Sequence, residues 1–127
     1  MKSMRTPLKK VRYLGSAKEG ADHFWKQRVT AVANIFLASF LVWLIASHIG
    51  ADYETVHRKL ADPLISLPLL ALILSATIHM RLGMQIIIED YVHNEGLKLG
   101  ALVLNTFFAI AVGLASVFAV LKLSFGA

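Results

Sequence analysis

Three long apolar stretches divide the chain. The first, VTAVANIFLASFLVWLIASHIG (29–50), carries no formal charge. The second, PLISLPLLALILSATIHMRLGMQIII (63–88), is interrupted only by His79, Arg81 and Gln85. The third, GALVLNTFFAIAVGLASVFAVLKLSF (100–125), holds one charge, Lys122. Each exceeds the ~20 residues that a helix needs to cross a ~30 Å hydrocarbon core. The period-two alternation of a membrane barrel is missing. The pattern therefore predicts an all-α integral membrane protein: a tail over 1–28, then a three-helix transmembrane domain over 29–125. Pro63 falls in the first turn of the second span, where its missing N–H matters little. Pro68 lies deeper and is expected to kink that helix.

Small and polar residues repeat on single faces. Asn105, Ala109, Gly113 and Ser116 do so on the third span, and Thr30, Asn34 and Ala38 on the first. In lipid such stripes are helix-packing surfaces, because association rests on close approach and shared polar contacts. Three helices make a poor self-contained bundle, so part of this surface is expected to meet another subunit.

Composition agrees and narrows the picture. Apolar residues make up 57% of the 127, above the roughly 45–50% of globular proteins, and the mean hydropathy is +0.63. Cysteine is absent, which excludes disulfides, thiolate metal sites and covalent c-type haem attachment. Eight of the thirteen Lys and Arg residues precede Val29. Beside an apolar run, that bias is a topology signal rather than a nucleic-acid site. It places the N-terminus and the EDYVHNEGLK loop on the cytoplasmic side and the C-terminus on the periplasmic side of a bacterial inner membrane. The tail lacks the apolar h-region of a secretory signal. No inverted repeat suggests a transporter.

The candidate chemistry sits in TIHMRLGMQIIIEDYVH (77–93). An ionisable residue inside a span is a functional candidate by default, and His79 is the one histidine deep in a span. His48 is near the outer end of the first span, His57 in the outer connection, and His23 and His93 on the cytoplasmic side. Ser75, His79, Gly83 and Asp90 fall within about 80° on a helical wheel, a lane of small neighbours that would admit a flat macrocycle. Neutral imidazole is the usual axial ligand of haem iron. With no second deep histidine, a bis-histidine haem here would take its other ligand from a partner chain. The plainer alternative is a histidine bonded to a neighbouring helix, for example through Asn105 or Ser116. Arg81 points about 200° away from His79, free to snorkel or meet a docked partner.

Two further positions matter. Arg28 opens the first span at headgroup depth, as a charge anchor or as a partner for a haem propionate or a quinone carbonyl. Glu89, Asp90, Tyr91, His93 and Glu95 crowd the cytoplasmic exit of the second span. Ordinary loop polarity explains them. So does quinone chemistry, which needs a hydroxyl donor such as Tyr91 and a carboxylate such as Asp90 within reach of water.

The arrangement H-x3-G-M-x5-DY, formed by His79, Gly83, Met84, Asp90 and Tyr91, resembles the smaller hydrophobic membrane-anchor subunit of succinate dehydrogenase, respiratory complex II. HFWKQRVTA, with Arg28 and Thr30, extends the likeness backward. GSAKEGADHFWKQRVTAVAN and EDYVHNEGLKL look alphaproteobacterial, and the resemblance runs from about Gly15 to Lys122. It implies that His79 is one axial ligand of haem b, shared with a second, cytochrome b type anchor subunit in a common helical bundle. It also implies that Tyr91 bonds a ubiquinone carbonyl, that Asp90 shapes that site, and that Arg28 lies near a propionate and the quinone. Succinate oxidation would then belong to a separate flavoprotein subunit, with electrons arriving through an iron–sulfur subunit seated partly by the stretch Lys18–Lys26. On this reading the chain is not an enzyme by itself. The alternatives are the anchor of a quinol:fumarate reductase and a haem-free membrane scaffold or assembly protein.

Overall fold

A computed structural model of the chain describes residues 15–126, and its regular elements are all helices. They are α1 (Gly15–Ser47), α2 (Tyr53–Ala61), α3 (Pro63–Tyr91) and α4 (Glu95–Ser124). The expected all-α architecture is present. Three of these helices are long and apolar enough to span a membrane, over Gly20–Ser47, Pro63–Tyr91 and Glu95–Ser124. Residues 1–14, which hold most of the basic tail's charge, lie outside the described residues.

The helices outrun the apolar stretches, for local reasons. α1 starts well before Val29, and an i,i+4 ion pair between Lys26 and Asp22 supports its polar turns. α3 continues through Glu89, Asp90 and Tyr91, and the Val92 N–H still reaches the Ile88 carbonyl at 3.0 Å. Polarity alone does not end a helix; it needs a cap or a breaker. Asn94 then caps α4, its side-chain oxygen accepting from the Leu97 N–H at 3.0 Å. Pro68 lies within α3, which remains helical on both sides of it.

The connection after the first span is not a plain loop. Asp52 caps α2 by accepting from the Thr55 N–H at 3.1 Å. Glu54 stands in the first turn and Arg58 and Lys59 in the last, each sign matched to the helix dipole. Gly50 turns the chain out of α1 with φ of 81°, a backbone that glycine takes without strain. Asp62 both ends α2 and caps α3, accepting from the Leu64 N–H at 3.0 Å, with Pro63 at the first helical position.

α3 is the middle of the fold. α1 and α4 each pack along it and make no extensive contact with each other. Ser75, His79 and Gly83 face α1, while Thr77 and the Arg81 backbone, roughly 160–200° away on the wheel, face α4. The spans thus form a single layer rather than a closed bundle. Little is enclosed: the buried set is Leu44, Ile65, Ser66, Leu82, Ile88 and Ala109. Phe36, Trp43, Phe107 and Phe118 stay exposed, a surface suited to lipid chains or other helices.

Candidate functional site

The α1–α3 seam is polar. His23, Gln27, Thr30 and Asn34 fall within about 60° on α1, and the middle of this stripe meets α3. Thr30 Oγ1 lies 3.1 Å from His79 Nδ1. The Thr30 carbonyl accepts from Ser75 Oγ at 3.2 Å, one turn along α3. One turn the other way, a Cβ added to Gly83 would stand 3.3 Å from Gln27 Nε2. The lane of small residues beside His79 is therefore a packing seam. Ser75 and Gly83 let α1 approach instead of leaving an open slot for a flat ring. The expected polar partners change too: His79 bonds Thr30 of α1, while Asn105 Nδ2 donates to the Arg81 carbonyl at 3.0 Å.

His79 is half-buried, and Nδ1 is the nitrogen with a hydrogen bond; Nε2 has none among the described residues. Among the described residues, three polar atoms along the α1 stripe are buried without a partner: His23 Nε2, Gln27 Oε1 and Asn34 Oδ1. Buried polar atoms of this kind are normally satisfied by water, a bound group or another chain. Among the described residues no three His, Cys, Asp or Glu side chains gather as a metal cage. Among the described residues the seam leaves two imidazole nitrogens unbonded, His79 Nε2 within the apolar stretch of α3 and His23 Nε2 ahead of the apolar stretch of α1.

The other sequence candidates lie apart from this seam. Arg28 is exposed, its guanidinium 4.7 Å from the Phe24 ring centroid on the preceding turn. Tyr91 is 77% exposed at the end of α3, and Asp90 beside it is exposed as well. No hydrogen bond joins Arg28, Asp90 and Tyr91 among the described residues. The neighbouring Glu89 accepts from Gln85 Nε2 at 2.8 Å. Because α3 is unbroken from His79 to Tyr91, His79 and Asp90 are about 16 Å apart along its axis. Arg81 is exposed on the opposite side of α3 from His79, as its place on the wheel implies, and donates through Nε to Thr106 Oγ1 at 3.4 Å.

Sequence reasoning placed Thr30 on a packing face but did not give it to His79, and it passed over Gln27. The signal was there: polar residues at 23, 27, 30 and 34 keep one helical face across the boundary between tail and span.

Comparison with known proteins agrees with this architecture. Residues 2–120 match the family model described as succinate dehydrogenase/fumarate reductase transmembrane subunit. The chain is 31% identical to the succinate dehydrogenase hydrophobic membrane anchor subunit of Paracoccus denitrificans, covering 96% of this chain and 94% of that one. It is 29% identical to the subunit of the same name from Rickettsia bellii, over 91% and 93% of the two chains. The succinate dehydrogenase membrane anchor subunit of Reclinomonas americana is 28% identical over 75% of this chain and 82% of its own. No solved structure matches. With three apolar helices in a single layer and a family match over nearly its whole length, the chain belongs to the succinate dehydrogenase/fumarate reductase transmembrane subunits, as a membrane anchor.

Proposed function

We propose that this anchor gives one axial ligand, His79, to a haem b shared with a second, cytochrome b type anchor subunit, and forms part of a ubiquinone site at Tyr91. The observation that carries the reading is the half-bonded imidazole within α3: Nδ1 is held by Thr30 while Nε2 is unbonded among the described residues. A single histidine deep in the spans of this chain fits an iron that takes two axial nitrogens from two chains. The Gln27 and His23 atoms on the same seam, unpartnered among the described residues, fit a site completed by further groups. When bound, haem b supplies a one-electron carrier within the membrane. This chain's own part is to hold the ligand ring and to present Arg28 at headgroup depth, where a guanidinium can pair with a propionate.

Quinone reduction takes two electrons and two protons. The Tyr91 hydroxyl is able to donate to a quinone carbonyl oxygen, and Asp90 to orient that donor or pass a proton from water. Tyr91 is too exposed to enclose a ligand unaided. The apolar wall for the prenyl tail would come from the partner anchor and the iron–sulfur subunit, with the flavoprotein subunit beyond. The Lys and Arg bias puts Tyr91 and the N-terminus on the cytoplasmic side of the bacterial inner membrane and the C-terminus in the periplasm. A periplasm-dependent reporter fused after Ala127 should be active; an inactive one would reverse the orientation.

The experiment is a reduced-minus-oxidised spectrum of the complex purified in mild detergent. A low-spin b-type spectrum that His79→Ala weakens or abolishes is expected. A spectrum unaltered in that variant would sink the ligand assignment. In the rival reading, a haem-free scaffold, Ser75, His79 and Gly83 serve only to pack on α1; a complex purified intact without porphyrin would establish it. Anchors of succinate dehydrogenase and fumarate reductase share one family, so the direction of electron flow is read from the quinone potential, not from this chain.

A further inference from the structure

We propose that Thr30 is a positioning residue that fixes the tautomer of His79, keeping Nδ1 protonated and the Nε2 lone pair free for iron. The inference rests on the haem-ligand reading above and adds a role for a residue on a different helix.

The argument is a proton count at one oxygen. Thr30 Oγ1 has three polar neighbours: the Lys26 carbonyl at 2.7 Å, the Gln27 carbonyl at 3.1 Å and His79 Nδ1 at 3.1 Å. A hydroxyl owns one proton. Carbonyl oxygens only accept, so if that proton pointed at His79, the 2.7 Å contact to Lys26 would set two oxygen lone pairs against each other. The proton therefore goes to the helix carbonyl, in the back-bonding that Thr makes within helices. The lone pairs of Oγ1 then face His79, and Nδ1 must be the N–H. In a neutral imidazole the other nitrogen, Nε2, is left as the acceptor.

The result is a short relay, His79 Nδ1–H to Thr30 Oγ1–H to Lys26 carbonyl, in which each bond polarises the next. Metal-bound histidines characteristically donate their second N–H in this way, which sets the ring orientation and raises ligand basicity. The relay is anchored at both ends of the residue, because the Thr30 carbonyl also accepts from Ser75 Oγ of α3. Thr30 thus holds the ligand helix through its side chain and its backbone. The small residues at 75 and 83 have a functional use here: they bring α1 close enough for a hydroxyl to reach the ring.

The test uses the assembled membrane complex carrying Thr30→Val, Thr30→Ser or His79→Ala. Valine keeps the branched shape and deletes the hydroxyl; serine keeps the hydroxyl and deletes the methyl. Haem retention is measured by transfer to excess apomyoglobin, and the haem midpoint potential by redox titration. Thr30→Val should loosen haem by about ten-fold or more. It should also raise the potential, since a less electron-rich ring favours ferric iron less; a tenfold change in that preference is about 59 mV for one electron. Thr30→Ser should match the parent on both measures. If Thr30→Val fails to assemble, Thr30→Ala removes the same hydroxyl without asking for space and carries the same expectations. A hydroxyl-free variant with parental retention and potential overturns the proposal, as does a serine variant as impaired as valine. An unchanged b-type spectrum in His79→Ala would instead overturn the ligand reading beneath it.

Discussion

Gly113 of α4 lies against Thr77 of α3 so closely that a Cβ built on the glycine would stand 3.3 Å from the threonine methyl. The contact falls where α4 turns its small-residue stripe onto α3, beside Ala109, which is only 1% exposed. In lipid, where exclusion of apolar surface from water cannot drive association, such close approach holds helices together. Gly113→Leu should therefore pry α4 from α3 and lower the thermal stability of the detergent-solubilised complex. Gly113→Ala should be nearly neutral: its one methyl asks the Thr77 side chain to yield a few tenths of an ångström, while the helix gains up to ~1 kcal/mol in backbone propensity. A leucine variant that melts like the parent would mean that this seam carries no weight.

About two turns nearer the start of α4 the same seam is polar. Asn105 Nδ2 donates to the Arg81 carbonyl at 3.0 Å, bridging α4 to the α3 backbone inside the membrane. Polar contacts between membrane helices average about 0.6 kcal/mol and reach roughly 1.7 at most. Asn105→Leu is thus expected to destabilise the complex by no more than about that upper figure, and to leave any haem spectrum unaltered, since Asn105 and His79 lie on opposite sides of α3. A spectral change in Asn105→Leu would contradict the single-layer arrangement.

Much of this was legible from hydropathy and spacing. Three apolar runs of spanning length, with Arg81 and Lys122 as their only formal charges, leave few choices in lipid, where every backbone N–H and carbonyl must be satisfied within the segment. The stripe at Asn105, Ala109 and Gly113 announced a packing face and is one. The ends of the helices were harder to read, because caps rather than polarity decide them: Asn94 starts α4 before its apolar run, and nothing stops α3 ahead of Val92. α2 was missed because its amphipathic turns between two spans look like a charged connection until Asp52 is seen as a cap. His79 was found as a buried ionisable group, but its partner was sought on α4. A wheel shows which residues share a face; it does not tell which neighbouring helix meets that face.

The cap of α2 has a pH signature. The Thr55 hydroxyl, and then its backbone N–H, hold the Asp52 carboxyl below its ordinary value of 3.8. Because the folded pKa is depressed, the capping contribution is complete above the unfolded value of about 3.9 and fades as pH falls through the lower folded one. Amide exchange in α2 should thus be slow and nearly pH-independent in protection near pH 6, then lose protection as pH drops below about 4. Asp52→Asn keeps a side-chain oxygen acceptor that does not titrate, so its protection should stay flat across the same range. Parallel acid profiles for the two proteins would show that the cap is not the sensitive element.

Tyr91 gives the sharpest functional contrast. It ends α3 on an unbroken helix from His79, and the residue is 77% exposed. If its hydroxyl bonds the quinone, Tyr91→Phe removes one neutral hydrogen bond while the aromatic surface stays in place. Such a bond is worth about 0.5–1.5 kcal/mol, so quinone reduction should slow by up to about ten-fold. Succinate oxidation assayed with an artificial dye should be unaffected, because the soluble subunits would still be seated on the anchor. Asp90→Asn should slow quinone reduction as well, and more at high pH, where bulk protons are scarce and a carboxylate relay matters most. Equal losses of quinone and dye activity in Tyr91→Phe would assign the residue to assembly and reject it as a quinone ligand.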